Sequence, residues 1–249
     1  MTSPCTIVIP CYNEEARFPV ERFGAYTDSH AGIRFLLVND GSKDGTLALL
    51  RSLAKGREDR VSVLDQPANG GKGEAVRSGV LETLRRQTDG YVGFWDADLA
   101  TPLEAIDEFL TVIERRPDIA MMFGARVKLL GRRVERRAIR HYLGRVFATV
   151  VSNLLRLPIY DTQCGAKLFR VTPQTAELFA EPFCSRWVFD VELIARFIRQ
   201  KRYDRSAVEA AIYELPLREW RDIAGSKVRP RDFLRAFLDV VKIRNRYRP

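Results

Sequence analysis

Four short apolar runs, each set between stretches of helical spacing, organise the first 125 residues and leave few architectures open. "CTIVIP" (Cys5 to Pro10), "IRFLLVND" (Ile33 to Asp40), "RVSVLDQP" and "GYVGFWDAD" read as strands. Between them, "YNEEARFPVERFGAY" keeps helical spacing across Pro19, and "GSKDGTLALLRSLAK" and "GKGEAVRSGVLETLRRQ" read as helices opened by turn and cap residues. Strands separated by helices of this length predict an α/β fold, a Rossmann-like, mostly parallel (mixed) sheet covered by helices on both faces. In such sheets ligands bind at the carboxyl ends of strands, and Asn13, Asp40, Lys72, Asp96 and Asp98 all fall there.

The second half alternates less regularly. "TPLEAIDEFLTVIERR" predicts a helix capped by Thr101 with Pro102 at its first position, and "IAMMFGAR" a strand. Within the arginine-rich segment that follows, Ile139, Leu143, Val146, Phe147, Val150, Val151 and Leu154 recur at helical spacing. A loop, "YDTQCGAKLFR", a helix from about Phe189 to Gln200, a strand around "AIYELPL" and a last amphipathic helix from about Pro230 to Tyr247 complete the reading. No Gly/Ser or Pro linker divides the chain, so one domain is expected over residues 1–249.

Composition narrows the class. An apolar fraction of 46% with 29% charged residues belongs to a folded chain, not a disordered one. The sequence has no uncharged apolar stretch of membrane-spanning length, and "MTSPCTIVIP" lacks the basic start and long apolar core of a signal peptide; a cytoplasmic location is expected. The widely spaced Cys5, Cys11, Cys164 and Cys184 form no CxxC pair, which argues against a disulfide framework or a zinc site. The net charge of +9 is unevenly spread: residues 126–145 carry +7 and residues 225–249 carry +6, leaving −4 elsewhere. An anionic partner is expected at the basic segments: a membrane surface, a phosphorylated substrate or a nucleic acid.

The chemistry concentrates at three strand ends. In "FWDADLATP", Asp96 and Asp98 are carboxylates at i and i+2 on a chain leaving a sheet, an arrangement that can converge on Mg²⁺ or Mn²⁺. The same residues could serve as turn and cap groups before "TPLEAI", and spacing alone leaves both readings open. Asp40 in "VNDGSKDGT" could accept bonds from a ribose or a base N–H. "ANGGKGEA" could bring backbone N–H groups and Lys72 to a phosphate, although it lacks P-loop spacing.

Taken in order, "IVIPCYNEE", "LLVNDGSKDGT", "NGGKGEAVRSG" and "FWDADLATP" resemble the nucleotide-sugar half of a family 2 glycosyltransferase of the GT-A fold. The later "YDTQCGAKLFR", "SRWVFDVEL" and "REWRDIAGSKVRP" are similar to dolichyl-phosphate β-glucosyltransferases and bacterial polyprenyl-phosphate relatives; the QxxRW motif of polysaccharide synthases is absent. The resemblance implies a single GT-A domain, with residues 1–125 as the nucleotide-sugar half and 126–249 as the acceptor half. It further implies donor contacts at Pro10, Tyr12, Asn13, Glu14, Asp40, Gly71, Lys72, Asp96, Ala97 and Asp98, with Asp96 and Asp98 holding Mg²⁺ or Mn²⁺ and Asp98 the more direct ligand. Ala100 stands where related mannose synthases have a glutamine ligand.

Acceptor contacts implied in the same way are Arg126, Arg137, Gln163, Arg221, Ser226 and Lys227, with Asp161 beside Gln163. Asp190 matches the base of many inverting members, and Asp98, Asp190 and Arg126 are the residues implied in catalysis. The implied reaction is inverting transfer of a hexose, foremost glucose from UDP-glucose, to a polyprenyl phosphate. The protein would then be a peripheral enzyme on the cytoplasmic face of the membrane, reaching lipid through basic helices with Phe147, Leu154, Phe233 and Phe237 on their apolar sides. Ordinary core packing or a homodimer interface is the competing use of the same faces. A hydroxyl acceptor would make Asp190 indispensable as base. A nucleic-acid binder would need no DxD, and no recognition motif beyond charge supports one.

Overall fold

The computed structural model describes residues 3–135, 138–223 and 230–247. In chain order its elements begin β1 (Cys5–Cys11), α1 (Val20–Ser29), β2 (Ile33–Asp40), α2 (Thr46–Ala54), β3 (Val61–Gln66), α3 (Lys72–Arg86), β4 (Tyr91–Phe94), α4 (Ala105–Arg115) and β5 (Met121–Ala125). They continue β6 (Arg133–Glu135), α5 (Ala138–Leu155), β7 (Lys167–Arg170), α6 (Pro173–Ala180), α7 (Phe189–Gln200), α8 (Arg205–Ala211), β8 (Ile212–Pro216), β9 (Glu219–Arg221) and α9 (Pro230–Tyr247). Two compact units divide the chain: Met1–Leu99 with Ala166–Pro182, and Ala100–Gly165 with Phe183–Pro249.

In the first unit the strand order is β3-β2-β1-β4-β7. β1 pairs in parallel with β2 (Cys5 opposite Ile33) and with β4 (Cys5 opposite Tyr91), whereas β7 runs antiparallel to β4 (Tyr91 opposite Arg170). The expected mixed, mostly parallel α/β sheet is thus present. Ile7, Val8 and Ile9 are fully buried, as continuous β-branched runs in parallel strands should be. Helix α3 lies against β1, β2 and β4, and Gly79 lets it approach: a Cβ there would sit 2.4 Å from Val8 Cγ1.

In the second unit β5 pairs in parallel with β8, and β6 with β9. Its apolar core joins Phe147 and Val151 of α5, Val188, Val191 and Ala195 beside and on α7, and Ala236, Val240, Ile243 and Tyr247 of α9. Glu192 is buried within it, accepting from the Cys184 amide (2.7 Å), Arg196 Nη2 (2.8 Å) and the Tyr247 hydroxyl (2.8 Å).

Several local expectations are corrected. The helical spacing across Pro19 overruns the true start, because α1 begins at Val20 with Pro19 as its N-cap and residues before a proline avoid the helical region. Thr101 does not cap α4; turns through Pro102 and Leu103 delay the helix to Ala105, and Thr101 is buried with its hydroxyl against the Cys164 sulfur. "KLFR", read within a loop, is strand β7. Phe147, Leu154 and Phe237 do not form a lipid-facing side: Phe147 stacks edge-on with Phe237 at 5.5 Å, and Leu154 joins the same core. An amphipathic stripe is equally satisfied by a neighbouring helix. Phe233 lies outside the described side chains.

Candidate functional site

The loops leaving β1, β2 and β3 are stitched to one another. Asn13, held at φ +50°, donates its amide to Ser42 Oγ (3.1 Å) and accepts from the Lys43 amide (2.9 Å). The Glu14 amide donates to Thr46 Oγ1 (2.8 Å), and the Gly45 amide donates to Glu15 Oε2 (2.8 Å). Buried Asp40 accepts from Asn69 Nδ2 (2.9 Å) and from the amides of Gly70 (2.7 Å) and Gly71 (2.9 Å), so it anchors the glycine-rich turn. Gly41 makes that approach possible: its φ is +60°, and a Cβ would lie 2.6 Å from the backbone of Ala68 and Asn69. Separate sequence motifs are therefore one hydrogen-bonded surface at the carboxyl ends of parallel strands. Pro10 and Tyr12 are half-buried beside it.

Lys72 opens α3 and puts its Nζ 2.5 Å from Asp96 Oδ1, each side chain about one-third exposed. Fully buried Trp95 and buried Ala97 fix the chain on either side of Asp96, and Leu99 at φ +53° turns it sharply after Asp98. Arg17 enters this cluster without having been expected there. Its side chain is bonded by Glu14, with Nη2 2.5 Å from Oε1. That bond chiefly, and then the nearby charges of Asp98 and Asp96, raise its basicity further. Its only sequence signal was a lone basic residue just past "YNEE", inside a stretch of helical spacing. Asp96 and Asp98 offer hard oxygens suited to Mg²⁺ or Mn²⁺, with Lys72 beside them for an anionic ligand. No third Asp, Glu, His or Cys joins them among the described residues. This set fits a cation completed by water and diphosphate oxygens, not a closed protein cage. Ala100 is buried and contributes its carbonyl to the Arg221 amide (3.0 Å).

The second unit holds a separate cluster. Arg126, just past β5, forms a two-pronged pair with Asp161: Nε to Oδ2 at 2.6 Å and Nη2 to Oδ1 at 2.7 Å. Its guanidinium also lies 5.3 Å from the Trp220 ring centroid. The Asp161 loop is fixed from β8, since Glu214 accepts both the Tyr160 and Asp161 amides at 2.8 Å. Gln163 donates its amide to Asp161 Oδ1 (3.2 Å) and buries its Nε2 without a hydrogen-bond partner among the described residues. Arg221, on β9, is exposed and paired with Glu219 at 2.7 Å. Asp190 is buried in the first turn of α7, where Val188 is the N-cap. Arg137, Ser226 and Lys227 lie outside the described residues.

The chain is similar to known proteins. The model described as glycosyl transferase family 2 matches residues 6–174. A dolichyl-phosphate beta-glucosyltransferase of Trichomonas vaginalis is 32% identical over 96% of this chain and 70% of its own, and that of Mus musculus is 31% identical over 99% and 76%. Among solved structures, glucosyl-3-phosphoglycerate synthase from Mycobacterium tuberculosis in complex with phosphoglyceric acid aligns over 98% of this chain and 80% of its own, with a TM-score of 0.63 and 17% identity. The same enzyme in complex with Mn²⁺, uridine diphosphate and phosphoglyceric acid aligns with a TM-score of 0.63, 18% identity, and 97% and 78% coverage. On the match to more than half its length, and with a fold shared with these structures, the chain belongs to glycosyl transferase family 2 and has the GT-A fold.

Proposed function

We propose that the protein transfers glucose from UDP-glucose to a polyprenyl phosphate at a membrane surface, with inversion and with a divalent cation. The observation that carries this reading is the strand-end group of Lys72, Asp96 and Asp98: a lysine paired with Asp96, a second aspartate two residues on and Arg17 near both carboxylates suit a metal-bound diphosphate. Near-full-length likeness to proteins named dolichyl-phosphate beta-glucosyltransferases supports the sugar and the acceptor class.

Asp98 and Asp96 would hold Mg²⁺ or Mn²⁺, which when bound would supply Lewis-acid neutralisation of charge on a departing diphosphate. Lys72 attracts the same phosphates, and Arg17 keeps the carboxylates from being an isolated negative cluster. An oxygen of the acceptor phosphate forms a bond to the anomeric carbon while the bond from that carbon to the donor diphosphate breaks, and UDP leaves with the electron pair. The acceptor needs no general base, because the second pKa of a phosphate monoester is roughly 6. Arg126 orients it, its guanidinium set by Asp161 and Trp220. Asp190, buried in the first turn of α7, orients or balances charge in that half.

The test is incubation of purified protein with UDP- and GDP-sugars and a short polyprenyl phosphate, with and without Mg²⁺ or Mn²⁺. A glucosylated lipid phosphate from UDP-glucose is expected, metal-dependent, with Asp98→Ala reducing kcat/KM by roughly 100-fold or more. No lipid-linked sugar from any donor, or an Asp98→Ala variant as active as the parent, overturns the reading.

A further inference from the structure

The loop between β5 and β6 ends in bare leucines. Leu130 is 104% exposed and Leu129 47%, and both stand in the most basic part of the chain, with Lys128 and Arg133 exposed alongside and Arg132 half-buried. A built turn keeps them outward. The Arg132 amide donates to the Leu129 carbonyl (3.1 Å) and Gly131 takes φ +79°, the signature of a type II turn with Leu130 at its first corner. The loop is pinned at both ends. The Leu217 amide donates to the Ala125 carbonyl (3.0 Å), the Arg133 amide donates to the Arg218 carbonyl (2.8 Å), and β6 pairs with β9. Leucine at such a corner makes no contribution to a core, and a flexible polar tip would fold as well.

We propose that residues 128–133 form a membrane wedge: Leu129 and Leu130 enter the acyl boundary of an anionic lipid surface while Lys128, Arg132 and Arg133 engage its headgroups. The proposal rests on the lipid-phosphate reading above and gives that reading a point of contact with the bilayer, in place of the helix faces now seen packed in the core. Two aliphatic side chains on a convex tip with a basic collar match a lipid surface in shape and in charge. The following segment adds to the attraction, since residues 126–145 carry +7.

Vesicle sedimentation tests the wedge without relying on catalysis. The parent should bind vesicles containing phosphatidylglycerol and bind pure phosphatidylcholine weakly. Leu129→Ser with Leu130→Ser should weaken anionic-vesicle binding at least tenfold. Lys128→Glu with Arg133→Glu should remove the preference for anionic lipid, roughly fivefold for each basic residue lost. A Leu130→Cys variant in a Cys184→Ser background, labelled with an environment-sensitive dye, should shift its emission to the blue on those vesicles; Cys5, Cys11 and Cys164 are buried and escape the label. The double serine variant should keep the parent's melting temperature and its activity on a short, water-soluble prenyl phosphate. Unchanged vesicle binding by that variant, or loss of binding instead with Val146→Ser and Leu238→Ser at the exposed positions of α5 and α9, overturns the wedge. If the parent still glucosylates a lipid phosphate, the proposed function survives that result; if it glucosylates none, the function falls independently of the wedge.

Discussion

Lys72 is the residue on which the proposed donor side turns, because its ammonium is placed against Asp96 at 2.5 Å beside a second aspartate. With each partner about one-third exposed, solvent screens the pair, and its contribution to folding is under ~1 kcal/mol. To a diphosphate the same ammonium is worth more, since a charge-assisted hydrogen bond contributes about 1.5–3 kcal/mol. Lys72→Met should therefore raise KM for the nucleotide sugar roughly 10- to 100-fold while shifting the melting temperature by no more than about 3 °C. A large melting shift with KM unchanged would make the lysine a structural residue. Arg126 shows the complementary case: its charge is already matched by Asp161, so geometry, set by Glu214 through the Asp161 loop, is what it offers an acceptor phosphate.

At the scale of elements, α3 illustrates two opposed effects at one residue. Alanine is favoured over glycine inside a helix by ~1 kcal/mol, but at Gly79 the added methyl would sit 2.4 Å from Val8 Cγ1 and 2.9 Å from Val38 Cγ2. Overpacking a sheet-facing contact costs about 1–3 kcal/mol, so Gly79→Ala should lower the midpoint of thermal unfolding by several degrees; an equal or higher midpoint would mean the sheet yields. This close approach also explains what was legible beforehand. Continuous β-branched runs announce buried parallel strands and helical periodicity announces the long helices, so the ranges of β2, α7 and α9 and the strand-end places of Asp40, Lys72, Asp96 and Asp98 were readable. The pairing of Arg126 with Asp161 was not, because 35 residues separate them and no local period links the two. Arg17 was missed for a related reason: it lies in a turn before α1, not in a helix, and its nearness to Asp96 and Asp98, far along the chain, has no local period. The stripes on α5 and α9 were legible but their neighbour was left open between lipid, a second copy and the core, since hydrophobic spacing specifies a buried face and not what buries it; the core is what covers them.

Across the whole molecule, charge and protonation act in the same direction in acid. In the first unit, Asp28 is held below the ordinary carboxylate range by the Arg57 guanidinium, Glu58 by the Gly56 amide and Glu74 by the Arg77 guanidinium. At Asp44 burial works against ionisation, yet bonds from the Thr46 hydroxyl and amide leave it lowered as well. A lowered folded pKa means that the unfolded chain takes up protons first. The stabilisation from these groups is complete above the unfolded values of about 4 and is lost as pH falls through the folded ones. Over the same range the chain's 32 Asp and Glu residues discharge against 41 Lys and Arg, so a net charge of +9 at neutrality climbs steeply and self-repulsion grows. The urea midpoint should therefore be nearly flat from pH 7 to 5 and fall continuously between about pH 4.5 and 2.5. Salt separates the two causes. Roughly 0.5 M NaCl shortens the screening length to a few ångströms and should restore the part due to repulsion, while the close hydrogen-bonded pairs keep their proton linkage. Glu74→Gln should flatten the slope that persists in salt; if salt restored the midpoint entirely, repulsion alone would govern acid unfolding and the lowered carboxylates would contribute nothing.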